Sequence, residues 1–362
     1  MTGILSGSPV QDFLRRTGAR VPIVQAPMAG AGGIDLAVAA IRGGALGSLP
    51  CAMLTPDQVR EQVTAVRSQA DGPLNLNFFC HTLGQPPDET RWHALLAPFY
   101  QTEGVGPPQT PPPLRAPFDE AMFDVVQALR PQAVSFHFGL PEPRLVDRIR
   151  AAGIVVIGNA TTFAEAQWLA GQVDMIIAQG FEAGGHSGHF LKGYRPEGTM
   201  AFTRGVVVEA DVTLEPVIAA GGIGDAAGIA AALTLGAGAV QLGTAYLHTA
   251  EATISEAHRA ALGEETVVTN LFSGGLARGV RNKLIDEIGP VHPDSPRFPY
   301  ASAAPAELRR VAEADGRGDY SPMWAGQAAA LGRPLRNQPP EGAQALTERL
   351  AREAFELLGE TP

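Results

Sequence analysis

Two glycine-rich segments in the second half of the chain have the composition of a phosphate-binding site. GGIGD at 221–225 follows an apolar run at 216–220, and QLGT at 241–244 overlaps the end of an apolar run at 239–243. Glycines allow main-chain N–H groups to approach phosphate oxygens, and a helix that begins nearby adds a favourable dipole. The two segments therefore predict a site for the phosphate of a substrate or of a flavin, with simple tight turns as the alternative.

A histidine in a third glycine-rich segment is the candidate catalytic residue. His186 lies in AQGFEAGGHSG (178–188), and a glycine-rich loop is a poor place to pack a core histidine. The ordinary pKa of an imidazole, about 6.5, suits proton transfer at neutral pH. His137, in SFHFG (135–139), is a candidate substrate contact, with a buried histidine bonded to the main chain as the alternative. Both follow apolar runs, so we expect them at the same end of the sheet.

Two further segments could contact a planar ring. The main chain of QAPMAG, which contains Ala26, Pro27 and Met28, could pass along such a ring. In NLNFF, strand alternation directs Asn77 into the protein near the end of the run, where its amide could bond a flavin edge or a phosphate. No spacing of histidines, cysteines or carboxylates is typical of a metal site. The expected chemistry is therefore that of an organic cofactor or substrate, with no metal.

Eight short apolar runs, separated by segments with helical spacing, define the elements that must position these side chains. Runs that are apolar at successive positions indicate strands buried on both faces, as in a parallel sheet. Eight such repeats predict an α/β fold, the (β/α)8 TIM barrel, with a doubly wound sheet as the alternative. The runs lie at 22–26, 45–49, 74–79, 133–138, 154–157, 175–178, 216–220 and 239–243.

Two segments interrupt this alternation and predict a second domain. Residues 81–117 are rich in proline and poor in apolar periodicity, and the alternation stops after residue 250. Helical patterns near 305–314 and 344–358 predict that the last part of the chain is mostly helical. We therefore predict a barrel domain formed by 10–80 and 118–250, and a helical cap formed by 81–117 and 251–362.

Charge and composition exclude several classes of partner. The 362 residues carry a formal net charge of −10, whereas a nucleic acid or an anionic membrane surface requires a basic footprint. No apolar run is long enough to span a membrane, and the first residues lack the pattern of a secretory signal. The two cysteines, Cys51 and Cys80, cannot form a disulfide framework, so a cytoplasmic location fits best. The acidic balance is compatible with a homo-oligomer.

Together, the motifs resemble those of the nitronate monooxygenase family, formerly called 2-nitropropane dioxygenases, in order over nearly the whole chain. Two later stretches, FSGGLARGVRN and YSPMWAGQ, resemble the class I branch of that family. The resemblance implies a barrel with a helical second domain, bound FMN, and oxidation of alkyl nitronates by O2 to a carbonyl compound and nitrite. The motifs that carry it are QAPMAG, NLNFF, SFHFG, GNATT, AQGFEAGGHSG, PVIAAGGIGD and QLGTAYL.

The resemblance also implies roles for individual residues. His186 matches the catalytic histidine beside the flavin, and His137 matches a histidine of the substrate pocket. The candidate cofactor contacts are Ala26, Pro27, Met28, Asn77, Gln179, Gly184, Gly185, Gly221, Gly222, Gln241, Gly243 and Thr244.

In the class I branch, tyrosines and a lysine of the second domain also face the substrate. Tyr300 and Tyr320 are the tyrosines that we nominate for this role. No lysine of this chain matches clearly, so the basic residue stays open among Arg278, Arg281 and Lys283.

Three other functions stay open on the same residues. An NAD(P)H-dependent flavin reductase, acting on quinones or enoyl thioesters, would use the same barrel, although no separate GxGxxG segment follows the first strand. A flavin-binding redox sensor would hold FMN without turnover. A phosphosugar or nucleotide isomerase would use the phosphate site without a flavin.

Overall fold

Among the residues that the structure describes, the strands form two sheets. The structure is a computed structural model that describes residues 8–110, 114–193, 197–208, 215–332 and 339–360. The larger sheet contains β1 (Ile23–Gln25), β2 (Gly47–Pro50), β3 (Leu74–Phe79), β4 (Ala133–His137), β5 (Val155–Ala160), β6 (Met175–Gln179), β8 (Val217–Ala220) and β9 (Ala239–Leu242). The smaller sheet contains β7 (Gly185–His186), β10 (Thr266–Thr269) and β11 (Ala277–Val280).

The larger sheet closes on itself. In the part of the chain that the structure describes, its eight parallel strands follow the order β1-β9-β8-β6-β5-β4-β3-β2. A parallel bridge between Val24 and Leu46 joins β1 to the chain just before β2. The sheet is therefore a barrel, which confirms the predicted (β/α)8 fold and excludes the open, doubly wound alternative.

Hydrogen-bonded polar side chains occupy part of the barrel interior. The Asn75 amide nitrogen donates to the hydroxyls of Ser48 at 3.1 Å and Ser135 at 2.9 Å. The Asn77 amide nitrogen also donates to the Ser135 hydroxyl, at 2.9 Å. Both asparagines therefore lie on the same side of β3, as its alternation predicts, and Asn77 is the one nearer the carboxyl end.

Helices connect the strands and continue into the cap. The GGIGD turn ends at Asp225, whose carboxylate accepts a hydrogen bond from the Gly228 N–H at 2.8 Å and so caps the following helix. The helices are α1 (Ser8–Thr17), α2 (Ile34–Arg42), α3 (Pro56–Arg67), α4 (Thr90–Glu103), α5 (Glu120–Leu129), α6 (Pro143–Ala151), α7 (Phe163–Leu169), α8 (Thr199–Val208), α9 (Ala226–Thr234), α10 (Thr244–Leu247), α11 (Glu256–Ala261), α12 (Lys283–Ile288), α13 (Ala306–Ala314) and α14 (Ala343–Leu357), with 3₁₀ turns at Tyr300–Ser302 and Gln327–Gly332. No helix among the described residues is long and apolar enough to cross a membrane.

The cap has its own apolar core and is not purely helical. Trp92 and Leu96 of α4 pack in one buried cluster with Leu284 of α12 and Leu308 of α13. The three-stranded sheet joins this region to the barrel, because β11 pairs with β7 in the loop after β6. The position of His186 is therefore set by the cap as well as by the barrel.

Helix α4 lies in the segment that the sequence suggested was poor in apolar periodicity. Its buried residues, Trp92, Leu96, Phe99 and Tyr100, follow helical spacing, and Pro98 lies inside the helix. This pattern is short and has proline-rich sequence on both sides, so the helix is not predicted from the sequence. The prolines at 111–113 lie outside the described residues.

The C-terminal helix packs on the barrel. The face of α14 that contains Leu346, Leu350 and Phe355 belongs to one buried cluster with residues of α2 and α9. An added Cβ at Gly43, just after α2, would lie 2.6 Å from the Thr347 Cβ, so the two helices approach closely. The predicted division that places all of 251–362 in the cap does not describe this helix, because its apolar face covers barrel helices.

Candidate active site

A cavity of about 560 Å³ lies at the carboxyl ends of the barrel strands and beneath the cap. Its size is within the range of about 300–1,000 Å³ that is usual for cofactor and substrate sites. The cavity brings together His186, His137 and every residue nominated as a cofactor contact. These contacts are Ala26, Pro27, Met28, Asn77, Gln179, Gly184, Gly185, Gly221, Gly222, Gln241, Gly243 and Thr244.

His186 is held at this mouth by contacts with the barrel strands and with the later part of the chain. Its Nε2 lies 2.8 Å from the Ser273 hydroxyl, which belongs to the cap. Its carbonyl oxygen accepts a hydrogen bond from the Gln179 amide at 2.9 Å and lies 3.2 Å from the Nε2 of His137. The rings of Phe298 and Trp324 stand 5.3 and 5.5 Å from its imidazole, centroid to centroid. The side chain is therefore fixed on several sides and faces an aromatic wall.

Burial determines the protonation state of both cavity histidines. Burial lowers the pKa of His186 well below its ordinary value, and the charge of Arg115 lowers it further. Burial also lowers the pKa of His137 to about 4. The ordinary pKa that the sequence analysis assumed for His186 is thus wrong for the buried side chain, which is neutral at neutral pH. A neutral imidazole can accept a proton, and its lowered pKa makes it a weaker base than an exposed histidine.

The buried neutral histidines should make the protein less stable in acid. The pKa values of His137 and His258 are lowered to about 4, mainly by burial, whereas a histidine in the unfolded chain titrates at about 6.5. Between these values only the unfolded chain binds the proton. We expect the free energy of unfolding to fall by about 1.4 kcal/mol per pH unit for each such histidine as the pH decreases.

Urea titrations between pH 7 and pH 4 measure this dependence. The His258→Gln variant should show a shallower dependence, because one contribution is removed and glutamine can still donate to the Trp324 carbonyl that His258 contacts. A free energy of unfolding that does not change below pH 6.5 would contradict the burial of neutral imidazoles.

The turn after β8 has the features of an anion cradle. Gly221 and Gly222 have φ values of +112° and +65°, which L residues rarely adopt. No acceptor among the described residues takes their main-chain N–H groups. Successive free N–H groups of this kind form a concave site for phosphate oxygens. The structure therefore fits a phosphate at this turn.

A buried acceptor in the same cavity fits a polar cofactor ring. The Oε1 atom of Gln241 is buried and has no hydrogen-bond partner among the described residues. Such an orphaned oxygen is costly unless a ligand donates to it. This oxygen and the cradle at Gly221 are two independent features of the cavity, and both suit a phosphate-bearing cofactor.

Gly184 has a structural explanation of its own. An added Cβ at this position would lie 2.5 Å from the main-chain nitrogen of Gly326. That N–H donates to the Thr244 hydroxyl at 2.9 Å, so the loop after β6, the cap and the end of β9 meet here. Glycine at 184 is required for this close approach whether or not it touches a cofactor.

The nominated tyrosines are not brought into the cavity. Neither Tyr300 nor Tyr320 is among its lining residues, and both side chains are buried elsewhere in the cap. The Tyr300 hydroxyl donates to the Gly84 carbonyl at 2.5 Å, and the Tyr320 hydroxyl donates to a Glu103 carboxylate oxygen at 2.8 Å. Both hydroxyls thus connect the proline-rich insertion to the C-terminal part of the cap.

The nominated basic residues also lie outside the cavity wall. Arg278 donates from Nε to the Phe181 carbonyl at 2.9 Å, and Arg281 pairs with Asp286 at 2.5 Å. The Lys283 ammonium lies 5.8 Å from the ring centroid of Tyr320. All three therefore have other contacts, and none lines the cavity.

Comparison with known proteins identifies the family. A model of the family described as "Nitronate monooxygenase" matches residues 13–338. The chain belongs to the nitronate monooxygenase family. This confirms the resemblance on which the sequence analysis relied.

Nitronate monooxygenases of two bacteria are similar to the chain over most of its length. The protein of Paraburkholderia phytofirmans is 41% identical over 350 residues, which cover 93% of this chain and 94% of that one. The protein of Pseudomonas aeruginosa is 39% identical over 335 residues, which cover 89% of this chain and 95% of that one. Among solved structures, the nitroalkane oxidase of Streptomyces ansochromogenes has a TM-score of 0.83 at 31% identity, covering 95% of this chain and 98% of that one.

The structure adds residues to this nitronate monooxygenase cavity that the sequence analysis did not nominate. Arg115 and Arg309 both line the cavity, and the Phe298 ring contacts His186. Arg115 lies in the proline-rich insertion, where no periodicity or motif marks it. Its one visible signal is a charge flanked by apolar residues, which is too common in sequences to predict a site.

Proposed function

We propose that the chain binds FMN in this cavity and oxidises alkyl nitronates with oxygen to a carbonyl compound and nitrite. The observation that carries the proposal is that His186 and the glycine turns at 221–222 and 243 line one cavity. Membership of the nitronate monooxygenase family and the names of its relatives support the reaction. The cradle and the orphaned Gln241 oxygen support a phosphate-bearing ring cofactor.

The residues that would hold FMN fall into two groups. We assign the phosphate to the main chain of Gly221, Gly222 and Gly243, and one polar edge of the ring to Gln241. When bound, FMN supplies the electron transfer and the reaction with oxygen, while the protein supplies orientation and electrostatics. The other residues that we assign to the cofactor are Ala26, Pro27, Met28, Asn77, Gln179, Gly184, Gly185 and Thr244.

His186 would handle the proton of the substrate. Its imidazole is neutral, and its Nε2 is 2.8 Å from the Ser273 hydroxyl, which helps to fix the ring. With a neutral nitroalkane, His186 accepts the proton of the acidic α-carbon and the nitronate is formed. With a preformed nitronate no proton is removed, and the imidazole serves as a hydrogen-bond partner of the anion.

Anaerobic mixing separates this function from the NAD(P)H-dependent flavin reductase. The purified protein is expected to be yellow and to release FMN on denaturation. We expect an alkyl nitronate to change the flavin absorbance within the dead time or within seconds, and NADH or NADPH to leave it unchanged over the same interval. Rapid bleaching by a pyridine nucleotide, with no response to the nitronate, would favour the reductase. Colourless protein would contradict the FMN assignment.

We also propose a cytoplasmic location. Cys51 and Cys80 both carry free thiols. Burial raises the pKa of the Cys51 thiol to about 12, so this side chain is an unreactive part of the core. Free thiols are typical of proteins from reducing compartments.

A further inference from the structure

Arg115 is a cation in the cavity wall for which the described residues provide no counter-charge. Its Nε is buried and has no hydrogen-bond partner among the described residues. Within the same residues, its side chain forms no ion pair with a carboxylate. The second arginine of the wall, Arg309, donates to the Glu313 carboxylate at 2.7 Å and is compensated. A half-buried guanidinium whose Nε lacks a partner can bind an anion in the cavity, so an anion from outside the chain is the expected partner of Arg115.

The main chain fixes Arg115 to the end of β3. The Phe118 N–H donates to the Phe79 carbonyl at 2.8 Å, and the Arg115 carbonyl lies 3.1 Å from the Nε2 of His81. These contacts place the segment at the barrel mouth. The main chain of Arg115 is thus held close to the end of a rigid strand.

The barrel separates Arg115 from the phosphate cradle. Gly221 follows β8, and Arg115 is held at the end of β3. Three strands separate β8 from β3 on each side of the barrel: β6, β5 and β4 on one side, and β9, β1 and β2 on the other. The two strands are therefore opposite each other in the barrel. The phosphate that we assign to Gly221 and Gly222 therefore belongs to the strand opposite the one that holds Arg115, so we expect a different anion at Arg115.

Arg115 lies on the same aromatic wall as His186. The Phe298 ring centroid is 5.3 Å from the imidazole centroid of His186 and 5.9 Å from the Cζ of Arg115. The charge of Arg115 also contributes to the low pKa of His186. Arginine stays protonated in proteins even where burial lowers its pKa, as it does here. The two side chains thus provide a permanent positive charge beside a neutral proton acceptor.

We propose that Arg115 is a specificity-determining residue that binds the negatively charged nitro oxygens of a nitronate and favours this anion over the neutral nitroalkane. A guanidinium presents paired N–H donors, which match two oxygens on one atom, as in a carboxylate. The nitronate group has the same pair of oxygens. This assignment rests on the proposed function, because the nitronate must bind in the same cavity.

Binding of inorganic nitrate tests the anion site without turnover. Nitrate is a planar anion with oxygens in the same arrangement, and calorimetry on the flavin-loaded protein measures its Kd. We expect Arg115→Gln to raise this Kd by about 10- to 100-fold, the usual cost of losing a hydrogen bond to a charged group. Arg115→Lys keeps the charge but not the paired donors, so its Kd for nitrate should lie between those of the wild type and Arg115→Gln. Arg310→Gln is the matched control, because Arg310 is exposed and paired with Glu307.

Steady-state kinetics on the same variants test the specificity. For Arg115→Gln, kcat/KM for a nitronate should fall by about 10- to 100-fold, while the KM for the neutral nitroalkane, which carries no charge when it binds, should change much less. A kcat/KM for the nitronate that stays unchanged would contradict the proposal. So would a nitrate Kd that is unchanged in Arg115→Gln, or the absence of saturable nitrate binding to the wild type. If Arg115 governs nitrate binding but the wild type does not oxidise nitronates, the anion site stands and the proposed function fails.

Discussion

The His186→Asn variant is expected to lose about 10²–10⁴-fold in kcat/KM with a neutral nitroalkane, the usual contribution of a positioned general base. Asparagine cannot accept the α-proton at neutral pH. It can still donate a hydrogen bond from the same place on β7, so kcat/KM with a preformed nitronate should fall much less. The ratio between the two losses measures how much of the contribution of His186 is proton transfer.

The pH dependence of the wild type gives an independent view of the same residue. Because the pKa of His186 is lowered, its neutral form persists below pH 6.5. Activity with the neutral nitroalkane should therefore be lost only at a more acidic pH than an exposed histidine would give. The control for His186→Asn is His93→Asn, because His93 lies on α4 and outside the cavity wall.

Two outcomes would contradict the base role of His186. An equal fall of kcat/KM for both substrates would mean that His186 only binds the anion. Unchanged kinetics for both substrates would mean that the hydrogen bond between His186 and Ser273 is structural. The catalytic role that the family resemblance implies for His186 would then be wrong.

The Gly243→Val variant is expected to lose FMN. An added Cβ at Gly243 would meet only the Ala26 Cβ at 3.6 Å and the Met28 sulfur at 3.8 Å, which are ordinary contacts with two other cavity residues. The φ of Gly243 is −108°, which valine can adopt. The valine methyl groups would therefore occupy cofactor space without distorting the fold. Overpacking of about 1–3 kcal/mol should raise the Kd for FMN by about 10-fold or more.

Gly243 is chosen so that loss of FMN can be distinguished from misfolding of the variant. At Gly221 an added Cβ would lie 2.8 Å from the Thr199 hydroxyl, and the φ of +112° is itself unfavourable, so loss of FMN there would not be specific. Gly106→Val is the matched control, because its added Cβ would meet no atom within 4 Å. The measurement is the Kd from fluorescence titration, together with the flavin content after dialysis. Full FMN retention in Gly243→Val would show that the phosphate assignment is wrong.

The barrel could be predicted from the sequence because its signal is local and repeated. Strand β3 is buried at all six positions of LNLNFF, as a strand covered on both faces must be. Chain order alone then predicts that residues after successive strands meet at one mouth, which is where His137, His186 and Gly243 lie. Closure of the barrel itself depends on long-range pairing, such as that of Val24 with Leu46.

The cap side of the site could not be predicted, because it depends on packing between distant segments. Tyr300 and Tyr320 have the residue type expected of substrate contacts, yet their hydroxyls bond Gly84 and Glu103. Arg115 has no motif, yet its main chain is held close to the end of β3, at the mouth. The lowered pKa of His186 likewise follows from burial by residues far apart in the chain.

Simultaneous measurement of oxygen uptake and nitrite formation tests the central claim most directly. The purified, flavin-loaded protein is mixed with an alkyl nitronate in aerated buffer without any pyridine nucleotide, and His186→Asn and Gly243→Val are assayed beside it. We predict that the wild type consumes oxygen and releases nitrite in parallel, and that both rates fall together in Gly243→Val as FMN is lost. Oxygen uptake that requires NADH or NADPH, or flavin-loaded wild type that forms no nitrite from the nitronate, would contradict the account.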